Sequence, residues 1–301
     1  MVKKLVLLVV GIMMAALFAG CGNDAPKEQA GKKIQVVTSF NAMAEFAKAI
    51  GGDKVEVSTI IPDGVEPHDF ELKPENMKQL ATAQVFVYNG FGMEPWAKQA
   101  IEAAKNDKLV TVVATEGVEA IKNTDPEEIK EHGAEDPHAW LSLKDAKIEV
   151  KNIKDALVKA DPANKDYYEK NYTEYVGKLD AMIKKYEEQF AKAPHKNFVT
   201  GHAAFAYLSR DFGLEQNSVE DVFAEGEPNA AQLAKLIEYV KENNIKTIFA
   251  EEMASPEVSK TLAKEVGAKV ETIYTIESKE DDKTYLQRMD ENLAKILESL
   301  K

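Results

Sequence analysis

Cysteine is nearly absent, with one residue, Cys21, in 301. That excludes a disulfide framework and every Cys-x-x-Cys metal or redox motif. Basic residues are in deficit, 38 Lys and Arg against 51 Asp and Glu, for a formal net charge of −13. Binding to a phosphate backbone needs a basic footprint, so nucleic acid is excluded as a partner. Glycine and proline are sparse at 16 and 11, too few for a collagen-like or low-complexity chain. Beyond the N-terminus there is no long apolar run, so the mature chain is not expected to span a membrane. The length instead predicts two domains or one large α/β unit.

The single apolar run, Leu5 to Gly20, follows Lys3 and Lys4 and ends in the small residues Ala19-Gly20. It falls short of the roughly 20 residues a membrane helix needs and reads as a secretory signal over residues 1–20. Phe18-Ala19-Gly20-Cys21 resembles a bacterial lipobox, with Phe18 where Leu is usual. The resemblance implies that Cys21 is lipidated, for instance with palmitate, and becomes the new N-terminus. Residues 21–33 are polar, carry Pro and Gly, and read as a flexible tether to the lipid anchor.

Strands and helices then alternate. Ile34–Ser39, Val55–Ile61, Val85–Asn89 and Leu109–Ala114 are short β-branched and aromatic runs, separated by helical stretches Asn41–Ile50, Pro74–Thr82 and Glu94–Lys105. The alternation pauses and resumes with strands Phe198–Thr200, Val219–Phe223, Thr247–Ala250 and Val270–Ile276. Helices His202–Phe212, Asn229–Asn243, Pro256–Val266 and Lys283–Leu300 accompany them. Near-continuously apolar strands between amphipathic helices predict mainly parallel sheets covered on both faces. The expected fold is therefore α/β, with an N-terminal lobe over 34–160 and a C-terminal lobe over 195–301.

Between them, Tyr168, Tyr172, Tyr175, Leu179, Met182, Tyr186 and Phe190 recur every three or four residues and mark one face of a helix. From Tyr168 to Phe190 it would run about 33 Å. Residues 161–194 are thus expected to form one long, rigid connecting helix with an aromatic buried stripe.

The histidines number five: His68, His132, His138, His195 and His202. Two share a local pattern, Glu66-Pro67-His68 and Asp136-Pro137-His138, in which proline holds the backbone extended and the histidine projects from a loop. His195 also follows a proline but stands beside Lys196, which would repel a cation. His202 follows the strand Phe198–Thr200, His68 follows Val55–Ile61 through a loop, and Glu277 follows Val270–Ile276. Ligands of open α/β sheets bind at such carboxyl ends of strands. Three imidazoles and a carboxylate would make a closed tetrahedral site suited to zinc. Taken alone, each of these histidines reads first as a surface or hydrogen-bonded residue and only second as a ligand. The stretch 123–136, with six acids and His132, reads as a solvated acidic loop.

From Ile34 to Leu300 the chain resembles the metal-binding lipoproteins of bacterial zinc/manganese ABC importers, the cluster A-I (cluster 9) solute-binding proteins. The matching blocks are Val36-Val37-Thr38-Ser39-Phe40, Gly64-Val65-Glu66-Pro67-His68-Asp69-Phe70-Glu71, Tyr88-Asn89-Gly90, Asp136-Pro137-His138-Ala139-Trp140-Leu141 and Thr200-Gly201-His202-Ala203-Ala204-Phe205. The resemblance implies that His68, His138 and His202 bind the metal and that a C-terminal carboxylate completes the site. Here that is Glu277, in Tyr274-Thr275-Ile276-Glu277-Ser278, with Glu251 or Glu252 as the fallback. Manganese-selective relatives often carry a carboxylate where this chain has His202. Zinc is therefore the expected cargo and manganese the second choice.

The resemblance further implies capture of the ion at the outer face of the cell membrane, delivery to an ABC permease and its ATPase, and a monomeric, lipid-anchored protein. An adhesin role belongs to some relatives. Enzymatic activity is not expected. No His-Glu-x-x-His occurs, no Ser–His or Cys–His nucleophile pairing is apparent, and four protein donors leave no position for substrate.

Overall fold

The β-branched runs become two four-stranded sheets. The first contains β1 (Ile34–Thr38), β2 (Val55–Thr59), β3 (Val85–Tyr88) and β4 (Val110–Val113), in the order β2-β1-β3-β4. The second contains β5 (Asn197–Thr200), β6 (Glu215–Ser218), β7 (Thr247–Ala250) and β8 (Lys269–Thr272), in the order β6-β5-β7-β8. Every pairing is parallel; Val36, for example, lies opposite Val57 on one side and Val85 on the other. Parallel strands need crossover connections, which the helices supply. These are α1 (Asn41–Gly51), α2 (Pro74–Thr82), α3 (Ala97–Ala104), α4 (Leu143–Ala160), α5 (Lys165–Lys192), α6 (Ala206–Phe212), α7 (Ala230–Glu242), α8 (Pro256–Val266) and α9 (Tyr285–Ser299).

This computed structural model describes residues 32–123, 129–130, 133–224, 229–251 and 256–301. The expected signal over 1–20, Cys21, nearly all of the tether, His132, Glu252 and part of the 123–136 loop lie outside the described residues. Among the described residues, no helix is long and apolar enough to cross a membrane.

The expected helix with the aromatic stripe is α5, 28 residues long and free of proline. Tyr168, Tyr175, Leu179, Tyr186 and Phe190 are buried along it, and Tyr172 and Met182 pack half-buried against the same core. It touches α1 and α4 beside the first sheet, and α6 and α9 beside the second. One apolar cluster runs without a break from Val36 and Phe46 through Leu179 to Phe198, Phe249 and Leu293. A smaller cluster, including Leu236, Ile248 and Leu262, lies beneath α7 and α8.

Three details depart from the sequence reading. The strand expected at Val219–Phe223 is instead β6, the polar segment Glu215–Ser218. It pairs with β5 alone, and an edge strand tolerates polar side chains that a central one would not. Val219 and Phe223 are buried all the same, in the chain after β6 that bonds to the backbone of Thr200–Ala203 past the end of β5. Second, α4 occupies part of the interval left unassigned. Its buried stripe, Leu143, Ala146, Val150, Ile153 and Leu157, has helical spacing, but buried Asp145, Glu149 and Lys154 interrupt the apolar signal. Third, β8 ends at Thr272 rather than Ile276, and α6 begins at Ala206 rather than His202. Both differences release chain for loops.

Candidate metal centre

Those loops carry the candidate ligands. His68 lies beyond β2, His202 in the turn after β5, and Glu277 five residues past the end of β8. His138 comes from a segment outside either sheet, just before the 3-10 turn Ala139–Leu141. His68, His138, His202 and Glu277 bring their ligand atoms within 4.8 Å of one another. His138 Nε2 stands 3.3 Å from His68 Nε2, 3.3 Å from His202 Nε2 and 3.3 Å from Glu277 Oε1. The same Glu277 oxygen is 3.6 Å from His68 Nε2 and 3.9 Å from His202 Nε2. A tetrahedral zinc with bonds of about 2.0–2.1 Å separates its donors by about 3.3 Å. The three separations from His138 match the edges of such a tetrahedron, and the two from Glu277 to His68 and His202 are somewhat longer. The side chains of His138, His68 and Glu277 are all 1% exposed or less.

Neighbours aim these donors. Asp136 Oδ1 lies 2.9 Å from His138 Nδ1 and also accepts the His138 backbone N–H at 2.9 Å. With its Nδ1 proton on Asp136, His138 must present the Nε2 lone pair to the centre. The Asp136 carbonyl accepts from the Tyr207 hydroxyl at 2.6 Å, and Asn89 Nδ2 donates to the Pro137 carbonyl at 2.8 Å. Glu94 accepts the backbone N–H groups of Asn89 and Gly90. Gly90 is required there: its φ is 96°, and a Cβ would collide with Val113 and Thr115. The Glu277 loop is tied to elements far away in sequence. Trp140 Nε1 donates to the Thr275 carbonyl at 2.7 Å, Asn41 Nδ2 to the Ile276 carbonyl at 3.2 Å, and the Gly64 N–H to Ser278 Oγ at 2.7 Å. Thr275 Oγ1 donates to Glu277 Oε2 at 2.8 Å, leaving Oε1 for the centre. Asp136, Asn89, Trp140 and Asn41 were not singled out as site residues. Three of them stand inside the matching sequence blocks, which was the available signal.

The fallback carboxylate Glu251 is buried but does not join the four. Its Oε1 lies behind His202, 3.9 Å from Nδ1, the nitrogen facing away from the centre. His195 is exposed two residues before β5, its backbone N–H bonded to the Leu300 carbonyl.

Burial and charge divide the protons unevenly. Burial opposes a charge on His138, but Asp136 and then Glu277 outweigh it and hold the imidazole up at about 9. Burial pushes His202 down to about 3. Burial would raise Glu277, yet His138 and His68 hold its carboxyl well below the usual range. Burial, then the Glu277 charge, lift Glu66 to about 8.

The model of the family described as zinc-uptake complex component A, periplasmic (ZnuA), matches residues 36–299. The high-affinity zinc uptake system protein ZnuA of Bacillus subtilis is 42% identical over 299 residues, covering 94% of each chain. The zinc-binding lipoprotein AdcA of Streptococcus pneumoniae serotype 4 is 37% identical over 97% of this chain, which spans 60% of that longer protein. The solved laminin-binding protein of Streptococcus agalactiae, described as bifunctional with adhesin and metal-transporting activity, superposes with a TM-score of 0.82. It is 32% identical over 90% of this chain and 100% of its own. Since the family match takes in both sheets, the long helix and every strand end that delivers a donor, the chain belongs to the ZnuA family of zinc-uptake components.

Proposed function

We propose that this protein is an extracytoplasmic solute-binding protein that captures Zn²⁺ through His68, His138, His202 and Glu277 and delivers it to an ABC permease and its ATPase. The observation that carries the reading is the convergence of three imidazole nitrogens and one carboxylate oxygen within 4.8 Å of one another in a buried pocket. Three nitrogen donors with a single carboxylate favour zinc over the oxygen-preferring manganese. The protein acts as a carrier rather than an enzyme: four protein donors close the coordination sphere that a catalytic zinc keeps open for water. Nothing among the described residues favours adhesion.

The chain is organised as a signal over 1–20, a lipid-bearing Cys21, a tether to residue 33, lobes over 34–160 and 195–301, and the connecting helix over 161–194. Lipidation then holds a monomer at the outer face of the membrane. The relative named as a lipoprotein and the lipobox-like residues before Cys21 support that anchorage.

The test is equilibrium competition for zinc against a chromophoric chelator. Ala at His68, His138 or His202 should weaken binding by orders of magnitude, while His195→Ala leaves it unchanged. Wild-type affinity in His138→Ala would refute the assignment.

A further inference from the structure

His138 has a carboxylate on its outer nitrogen, while His202 has an unused one within reach. His202 Nδ1 has no hydrogen-bond partner, and neither has Glu251 Oε2. Glu251 Oε1 lies 3.9 Å from that nitrogen, with the two side chains 3% and 2% exposed. The same Oε1 accepts the His202 backbone N–H at 3.4 Å, which sets the carboxylate alongside the ring. The backbone on the other side is fixed, since the His202 carbonyl accepts from Thr200 Oγ1 at 2.6 Å and from Gln216 Nε2 at 3.0 Å. Gly201 leaves the room: a Cβ there would overlap Glu251 Oε2.

Once Nε2 binds a metal, the proton of a neutral imidazole must sit on Nδ1. A buried N–H without an acceptor is costly. A ring movement of about 1 Å would bring Nδ1 to hydrogen-bond distance of Glu251 Oε1. Resting on the zinc-site reading above, we propose that Glu251 is the positioning residue of His202, accepting its Nδ1 proton when Nε2 takes the metal. It accepts a hydrogen bond from Nδ1–H, which stays on the ring, and is thus the counterpart of Asp136 behind His138, and not a ligand. A carboxylate there fixes the tautomer and ring angle and raises the basicity of the donor.

The experiment compares the mature chain with Glu251→Met, Glu251→Gln, Glu251→Ala, Glu277→Ala and His138→Ala by zinc competition and by the visible spectrum of the cobalt(II) form. Methionine fills the same space without an acceptor; glutamine keeps an acceptor oxygen. Glu251→Met and Glu251→Ala should bind one zinc about 10- to 100-fold more weakly. The intense cobalt bands of a four-coordinate site should be retained, and Glu251→Gln should recover most of the loss. Melting of the metal-free variants identifies any that fail to fold, and the folded substitutions carry the comparison. Wild-type affinity in Glu251→Met overturns the proposal. So does collapse of the cobalt bands in Glu251→Met to the level of Glu277→Ala, which would make Glu251 a ligand. Unaltered zinc binding in both His138→Ala and Glu277→Ala would instead bring down the site reading itself.

Discussion

Zinc and protons compete for the same nitrogens, and between His138 and His202 the competition falls on His138. An imidazole binds metal only in its neutral form. In the metal-free protein His138 is held at about 9 by Asp136 and Glu277 against burial, so at neutral pH it carries a proton that zinc must displace. His202, pushed to about 3 by burial, has none to lose above about pH 4. The sign follows: affinity rises with pH until His138 deprotonates unaided near pH 9. Between about pH 6 and 8 it should climb close to tenfold per unit from this group alone. Calorimetry in buffers of differing ionisation enthalpy should find about one proton released per zinc near neutrality. A flat affinity over that interval, with no proton release, would contradict the arrangement. The ring that a proline-histidine pattern marks is thus distinguished by Asp136, two residues earlier, which holds its Nδ1.

A loop rather than a strand presents the fourth donor, and that loop is held under tension. Ile276, immediately before Glu277, is fully buried with φ 63°. For a β-branched residue that backbone is strained by about 1–3 kcal/mol and persists only where surroundings impose it. Asn41, at the start of α1, grips the chain with two hydrogen bonds: Nδ2 donates to the Ile276 carbonyl and its backbone N–H to the Glu277 carbonyl, each at 3.2 Å. Asn41→Ala removes the first of these. Zinc affinity should fall several-fold and the metal-free fold should lose about 1–2 kcal/mol, read by chelator competition and by urea unfolding. Wild-type values in both would mean that Trp140 and Gly64 suffice to hold the loop. Little of this was legible in the sequence. The Tyr274–Ser278 segment identifies Glu277 as a candidate, but the grip of a residue 235 positions away leaves no local trace. The same holds for β6, whose polar Glu215–Ser218 is stable as a strand only because β5 lies beside it.

Binding proteins joined by flexible strands close around their ligands like a hinge. Here α5 packs against helices beside both sheets, and a single apolar cluster continues from one to the other. Bending α5 would break backbone hydrogen bonds and the packing of Tyr168, Tyr175, Leu179, Tyr186 and Phe190, with no proline to localise a kink. Solution scattering should therefore find nearly the same radius of gyration with and without zinc. Change should concentrate in the ligand-bearing loops, chiefly residues 63–71, 133–138 and 275–283, with the His202 ring turning in place. A contraction as large as that of hinge-type binding proteins would show that α5 is not a stiff spine. Because zinc binds only the folded chain, the melting temperature should rise steadily with zinc above the dissociation constant. In His138→Ala the rise should be lost at the same concentrations.

Periodicity by itself determined the α/β class, most strand and helix positions and the buried stripe of α5, because these depend on interactions between near neighbours along the chain. The Glu66-Pro67-His68 and Asp136-Pro137-His138 blocks, with His202 at a strand end, marked three candidate ligands, but it was their resemblance to a known family that set them apart from ordinary surface histidines. Tertiary structure decided the rest. Glu251 directly follows the apolar β7 and Glu277 lies in a loop five residues past β8, and nothing in their flanking residues fixes which of them faces the histidines. Only the packing of the chain puts Glu277 Oε1 among the three Nε2 atoms and Glu251 behind the far nitrogen of His202. A carboxylate's role depends on which atom of which ring it faces, and that is settled by where distant segments meet in space.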